Sequence, residues 1–186
     1  MSAPPRIAPG GRHDVGLANW LVAQISGRVT GTTPPNLFLT LGRQRKLFRG
    51  WLRFAGRMMP GGTLPRRETE LVILRVAHLT GCTYEEQHHR HLAKRAGLTP
   101  AEIDRVADGP DADGWSDRER MLLRAADELH HDRDLTDPTW TAVRAHLDEP
   151  TAIELVLLVS HYEMLATAIT TLRIAPDRPR RPARAS

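Results

Sequence analysis

Residues 70–89 read E-L-V-I-L-R-V-A-H-L-T-G-C-T-Y-E-E-Q-H-H. The pattern predicts two helices meeting at a tight corner. The first is expected from about Pro65, a residue suited to the opening turn, to Thr80, with Glu70, Ile73, Leu74 and Ala77 on one stripe. Gly81 stops it. The second is expected to start at Thr83, whose hydroxyl would cap the N–H three residues on while Glu86 reaches back, a Thr-x-x-Glu capping box. In that register Glu85 and His89 stand four apart on one face, and Cys82 lies at the N-terminal end. A carboxylate among Ile73, Leu74 and Ala77 is desolvated, so Glu70 needs a partner, for which His89 or Cys82 would serve.

On the N-terminal side, residues 1–12 are rich in Pro and Gly and read as an irregular arm. From about Val15 to Val29, Leu17, Trp20, Leu21 and Gln24 or Ile25 keep amphipathic spacing. Gly27, Gly31, Pro34 and Pro35 break it. Asn36 is placed to cap a short helix through Leu41, and another helix is expected between about Arg45 and Met59. Its apolar side is Leu47, Phe48, Trp51, Leu52, Ala55 and Met58 or Met59. Arg43, Arg45, Lys46, Arg49, Arg53 and Arg57 fill the rest. Most of these cations are expected in solvent, one or two of them being candidates to hold a substrate carboxylate.

On the C-terminal side, Gly97 ends the second motif helix. Thr99-Pro100-Ala101-Glu102 is a capping box with proline at the first position, opening a short helix to about Ala107. Ser116-Asp117-Arg118-Glu119 caps a helix to about Asp132 that keeps Met121, Leu122, Ala125 and Leu129 on one side. Thr136 or Asp137 starts another, to near Leu147. The last helix, about Pro150 to Ile174, is apolar almost all round and is expected to run through the middle of the bundle. His161 and Tyr162 are conspicuous in it. No segment sustains period-two alternation, so the fold is expected to be all-α, with about seven to eight helices around one core.

At 186 residues the chain is long enough to bury a core without staples. Its single cysteine excludes an internal disulfide and fits a reducing, cytoplasmic setting. No segment reads as a secretory signal, and the longest apolar run, Leu155 to Val159, is too short to cross a bilayer. A soluble protein with no membrane partner is expected. The formal charge of +4 is matched by Arg178, Arg180, Arg181 and Arg184 in an acid-free tail, so the body is formally neutral. Residues 178–186 read as a disordered basic tail. With only 5% aromatic residues to stack on bases, no nucleic-acid partner is expected.

The spacing Glu-x11-Cys-x2-Glu-x3-His at Glu70, Cys82, Glu85 and His89 resembles the signature of the carboxymuconolactone decarboxylase and AhpD-like alkylhydroperoxidase superfamily. Its peroxidase members carry a second cysteine where Glu85 stands. The segments P-N-L-F-L-T-L-G-R at 35–43, G-G-T-L-P-R-R-E-T-E-L-V-I-L-R at 61–75 and V-S-H-Y-E-M-L-A at 159–166 look like its decarboxylase-like branch. The resemblance covers about Arg6 to Asp177. It implies a single AhpD-like helical domain over 13–177, no metal, and a symmetric homo-oligomer, for which the apolar N-terminal helix would serve as interface.

The candidate catalytic set is Glu70, Cys82, Glu85 and His89, with Tyr84, His88, His161 and Tyr162 as further pocket candidates. Burial raises a carboxyl pKa toward neutrality, which suits Glu70 to take and give a proton; its structural alternative is an anchor paired with an arginine. Resemblance places the corresponding glutamate of the peroxidases in a proton relay. Cys82 is favoured as thiolate by the helix start and opposed by Glu70 and Glu85; a protonated His89 would tip it toward thiolate. With one thiol an internal disulfide cycle is impossible, and Glu85 points to acid/base chemistry with His89, or to a plain i,i+4 pair. His88, His89, His91 and His78 are not spaced as a metal site, and His88 and His91 are expected to be mostly exposed. His161 is either a satisfied core histidine or part of the pocket. His130 and His131 are expected to face solvent.

Three functions remain open. The first is a cofactor-free, lyase-type enzyme using acid/base catalysis on a small organic acid or lactone, in which an enolate left by departing carbon dioxide is stabilised and protonated. The second is a peroxiredoxin-type oxidoreductase working through Cys82 alone with an external thiol. The third is a non-catalytic, oligomeric ligand-binding member.

Overall fold

The computed structural model describes residues 4–180. They form ten α-helices: α1 (Arg12–Val15), α2 (Leu17–Thr30), α3 (Asn36–Leu41), α4 (Arg45–Met58), α5 (Arg66–Leu79), α6 (Thr83–Arg95), α7 (Pro100–Arg105), α8 (Asp117–His131), α9 (Asp137–His146) and α10 (Glu149–Leu172). A single 3-10 turn, Val106–Asp108, follows α7. The fold is all-α. Among the described residues, 4–55 with 169–180 belong to one compact unit and 56–168 to a second.

In the first unit, the expected apolar face of α2 is turned outward. Leu17, Leu21 and Ile25 are 51%, 46% and 59% exposed, while Asn19, Ala23 and Gly27 are buried. Close packing explains the inversion. A Cβ on Gly27 would stand 2.8 Å from the Thr33 carbonyl oxygen, so the small face is the one that admits neighbouring backbone. Asn36 is the first residue of α3, with Pro35 at the cap position, and its amide donates to Ala175 O and Pro176 O instead. Phe38, Phe48 and Trp51 form a ring cluster with centroids 5.4 to 5.6 Å apart. Arg43, Arg45 and Arg49 bond to local partners, respectively Ala8 O with Asp14, Asp14 O with His13 O, and Arg45 O. The irregular arm is tied down by Arg6 N–H to Leu172 O and Gly10 N–H to Leu39 O, both 3.0 Å. Of the tail expected at 178–186, Arg178 O accepts from Thr33 N–H and Arg180 N–H donates to Gly31 O; 181–186 lie outside the described residues.

In the second unit α5, rather than α10, is the central helix. Thr69 through Ala77 are buried without interruption, so the stripe of Glu70, Ile73, Leu74 and Ala77 is part of a fully enclosed circumference. A charge inside it, Arg75, is paired: it grips Asp127 of α8 in bidentate fashion at 2.6 and 2.9 Å and donates to Val106 O and Ala107 O. Leu71, Leu74, Ala93, Leu98, Ile103, Val106, Trp115 and Leu123 pack into one cluster beside it. The capping boxes at Thr99/Glu102 and Ser116/Glu119 form as the spacing predicts. Arg67 of α5 binds both capping glutamates, Glu102 at 2.5 Å and Glu119 at 2.8 Å.

By length and composition alone α10 is apolar enough to cross a membrane, a property that a search for uninterrupted apolar runs overlooks. It is instead two-sided: Leu155, Leu158, Val159 and Tyr162 are buried, whereas Ile153, Leu157 and Met164 are 61%, 43% and 50% exposed. Glu154 on α10 moors the loop before α5. It accepts from Thr63 N–H and Thr63 O–H, each at 2.6 Å, and from Leu64 N–H at 3.1 Å. His130, expected in solvent, is partly buried and lies 2.6 Å from Glu163, because α8 presents it to α10; His131 is exposed.

Candidate functional site

The corner that sets the site is tighter than a Thr83 cap allows. The α5 helix ends with Gly81 at φ +62°, its N–H bonded to His78 O and the Cys82 N–H to Ala77 O at 2.9 Å, a Schellman arrangement. Thr83 is already helical. Cys82 therefore occupies the cap position of α6 and Thr83 the first helical position, so the expected Thr83/Glu86 capping box does not form; Glu86 lies 3.7 Å from Arg90 instead.

One imidazole gathers the group. His89 Nδ1 lies 2.7 Å from Glu70 Oε2, and its Nε2 lies 3.3 Å from Glu85 Oε2 and 3.2 Å from the Tyr162 hydroxyl. The Tyr162 O–H in turn donates to Met59 Sδ at 3.6 Å. All four polar side chains are buried, Glu70 completely. Burial works against charge on His89, but the hydrogen bonds it donates to both carboxylates outweigh it and raise its pKa to about 9. At neutral pH the ring is thus an imidazolium donating through both nitrogens. Glu70 Oε1 faces the guanidinium of Arg66, one turn earlier on α5, at ion-pair range without a hydrogen bond of ordinary geometry.

Cys82 is buried, and its thiol pKa is raised, first by burial; the backbone N–H groups of Glu85 and Tyr84 pull it down and the Glu85 charge pushes it up. Protonated His89 does not make it a thiolate, because that positive charge is neutralised by Glu70 and Glu85. Tyr162 is pushed well above its usual value by burial and then by Glu85 and Glu70, so it is a neutral phenol. His161 is buried and lowered to about 4 by burial, against the opposing field of Glu85. His88, expected to be exposed, is partly buried, its ring parallel to Tyr84 at 6.3 Å; burial and then the charge on His89 lower it to about 4. His91 is exposed. Among the described residues no group of three His, Cys, Asp or Glu side chains is arranged to hold a metal ion.

The structure thus joins Glu70, Glu85, His89 and Tyr162 by direct contact. Cys82 stands one turn from Glu85 on α6 and is linked to it electrostatically. Tyr84 and His88 flank the array, and His161 shares the field of Glu85. Sequence reasoning did not single out Arg66 or Met59. The Arg66-x3-Glu70 spacing is a usable signal for the first. Met59 has none, since its sulfur reaches Tyr162 only through the path of the loop that follows.

Residues 45–128 match the carboxymuconolactone decarboxylase family. Over that stretch the chain is similar to the carboxymuconolactone decarboxylase/AhpD-like superfamily. The matched stretch carries Glu70, Cys82, Glu85 and His89 but not Tyr162. Three solved structures share the AhpD-like fold. An AhpD-core, peroxidase-related protein from Ralstonia eutropha JMP134 is 19% identical, with 94% of each chain covered and a TM-score of 0.78. A Cys-to-Ala variant of the debrominase Bmp8 in complex with 2,3,4-tribromopyrrole is 18% identical, covers 94% of this chain and 93% of its own, and has a TM-score of 0.77. A peroxidase-related protein from Silicibacter sp. TM1040 is 13% identical, covers 87% and 86%, and has a TM-score of 0.78. At these identities the likeness concerns the fold alone. No curated protein matches the sequence.

Proposed function

We propose that this protein is an acid/base enzyme acting on a small organic acid or lactone. The observation that carries the reading is the buried imidazolium of His89 held between Glu70 and Glu85, with the phenol of Tyr162 on the same nitrogen as Glu85. Such a set can deliver a proton and recover it without a cofactor. In a decarboxylation, the bond to the leaving carboxylate breaks and its electron pair passes into the adjacent carbonyl. Tyr162 and His89 donate hydrogen bonds to the resulting enolate, and one proton returns to carbon as carbon dioxide departs. Cys82 serves as a neutral donor. Arg66 is engaged by Glu70, so any cation gripping a substrate carboxylate must come from elsewhere.

A second reading has its own support. Cys82 sits at the start of α6 with two backbone N–H groups that favour thiolate, and similar folds include peroxidase-related proteins and a debrominase studied as a cysteine variant. A hydroperoxide would oxidise Cys82 to a sulfenic acid and leave as the alcohol. Two equivalents of an external thiol would then restore the thiol, releasing water and their own disulfide. One experiment separates the two: hydrogen–deuterium exchange at the carbon next to the carbonyl, followed by NMR across small lactones and keto acids. Acid/base chemistry requires exchange that Glu70→Gln abolishes and Cys82→Ser leaves largely intact. The thiol reading requires the reverse pattern in peroxide consumption.

A further inference from the structure

Glu85 is the residue at which this chain departs from the two-cysteine pattern, and only half of its carboxylate is used. Its side chain is 5% exposed, and Oε2 is committed to His89 Nε2 at 3.3 Å. Oε1 is buried and has no hydrogen-bond partner among the described residues. A buried carboxylate oxygen without a protein donor needs an explanation, because no protein group compensates for its lost hydration. Its surroundings say what would complete it. Glu85 lies one turn from Cys82 on α6, and its charge acts on Cys82, His161 and Tyr162, so it stands where α6 meets α10.

We infer that Glu85 Oε1 is the recognition point for an uncharged small molecule that presents an O–H or N–H, such as an enol, a hydroxylated ring or a ring N–H. A carboxylate oxygen only accepts, so the ligand group meeting it must donate. A ligand anion would place like charge against Glu85. A ligand cation is disfavoured because the His89 imidazolium already neutralises the same carboxylate from its other oxygen. The formal charges of Glu70, Glu85, His89 and Arg66 cancel, leaving a buried site matched to a neutral guest. An organic acid would therefore meet Glu85 through a hydroxyl or enol rather than through its carboxylate. A buried acceptor of this kind discriminates strongly, since a guest lacking the donor leaves the oxygen unpaired.

This inference rests on the same site as the acid/base reading and sharpens its substrate class. The test uses matched probes: pyrrole against N-methylpyrrole and phenol against anisole, with benzoate and pyrrolidinium as charged controls, binding being measured by NMR on the whole chain. Each donor-bearing probe is expected to bind about tenfold or more tighter than its methylated form and tighter than either charged control. In Glu85→Ala the preference should fall to within about twofold. Equal binding of the methylated forms to the unmodified protein, stronger binding of a charged control, or a preference that survives in Glu85→Ala would each overturn it. The comparison on the unmodified protein stands alone if that variant does not fold. If the preference appears but Glu70→Gln leaves exchange chemistry untouched, the acid/base reading fails and this inference survives. Glu70-dependent exchange without any preference is the converse.

Discussion

His89 Nδ1 meets Glu70 Oε2 at 2.7 Å across the corner between α6 and α5, and that contact makes the charge state of the imidazole a stability variable. The folded pKa of about 9 lies above the ordinary histidine value, so the stabilisation is fully present below about pH 6.5 and is lost as pH rises through about 9. Denaturant unfolding should show stability falling by on the order of 3 kcal/mol between those limits. His88 and His161 are shifted the other way, to about 4, so the neutral forms stabilise above the ordinary value and stability falls as pH drops toward 4. The maximum is expected near neutrality. Glu70→Gln should flatten the alkaline limb; an unchanged slope would mean that the pair does not hold the proton.

Cys82 should be a slow thiol. Burial raises its pKa, so alkylation by iodoacetamide at pH 7 to 8 is expected to lag a free cysteine by about tenfold or more and to catch up only on unfolding. Fast labelling of the native protein would shift the balance toward the peroxidase reading.

Tyr162→Phe removes the hydroxyl shared with His89 Nε2 while keeping the ring that fills the buried face of α10. The stability cost should be modest, about 1 kcal/mol, because Glu85 still accepts from the imidazole. The chemical step should lose about a hundredfold if the phenol donates to a developing oxyanion. Loss of fold without loss of rate per folded molecule would make the hydroxyl structural.

Two threonines test the helix starts. Thr99→Ala should cost about 1 kcal/mol, since its hydroxyl accepts from Glu102 N–H at 3.2 Å and Glu102 reciprocates, whereas Thr83→Ala should be nearly neutral. Thermal unfolding of the pair settles it. The contrast also marks what local sequence can express. At Thr99 and Ser116 the cap is decided within four residues and was legible. At Thr83 it is overridden by the Schellman turn, which spends the Cys82 N–H on Ala77 O and starts the helix one residue early. The glutamate, cysteine and histidine were readable because their spacing survives that shift. The inverted α2 was not, because the winning face is that of Asn19, Ala23 and Gly27, whose advantage is close approach rather than hydrophobicity. Likewise the enclosure of α5 depends on Asp127, fifty-two positions from the Arg75 it pairs with.

The loop before α5 offers the last prediction. Glu154 accepts three hydrogen bonds from Thr63 and Leu64, and it fits only because residue 62 has no side chain: a Cβ there would lie 2.2 Å from Glu154 Oε1 and 2.5 Å from Met58 O. The same segment carries Met59, whose sulfur accepts a hydrogen bond from the Tyr162 hydroxyl, and leads into Arg66 beside Glu70. Gly62→Ala should therefore destabilise by about 1 to 3 kcal/mol through overpacking against backbone that cannot withdraw. Glu154→Gln, which keeps the shape but weakens charge-assisted bonds, should cost less and leave the fold intact. In that milder variant the mooring of Met59 and Arg66 is loosened while Glu70, Glu85 and His89 are untouched. The expected result is a lowered His89 pKa by NMR titration, as Tyr162 and Glu70 lose their fixed neighbours. An unchanged His89 titration in a folded Glu154→Gln protein would confine Glu154 to holding the loop and detach it from the site.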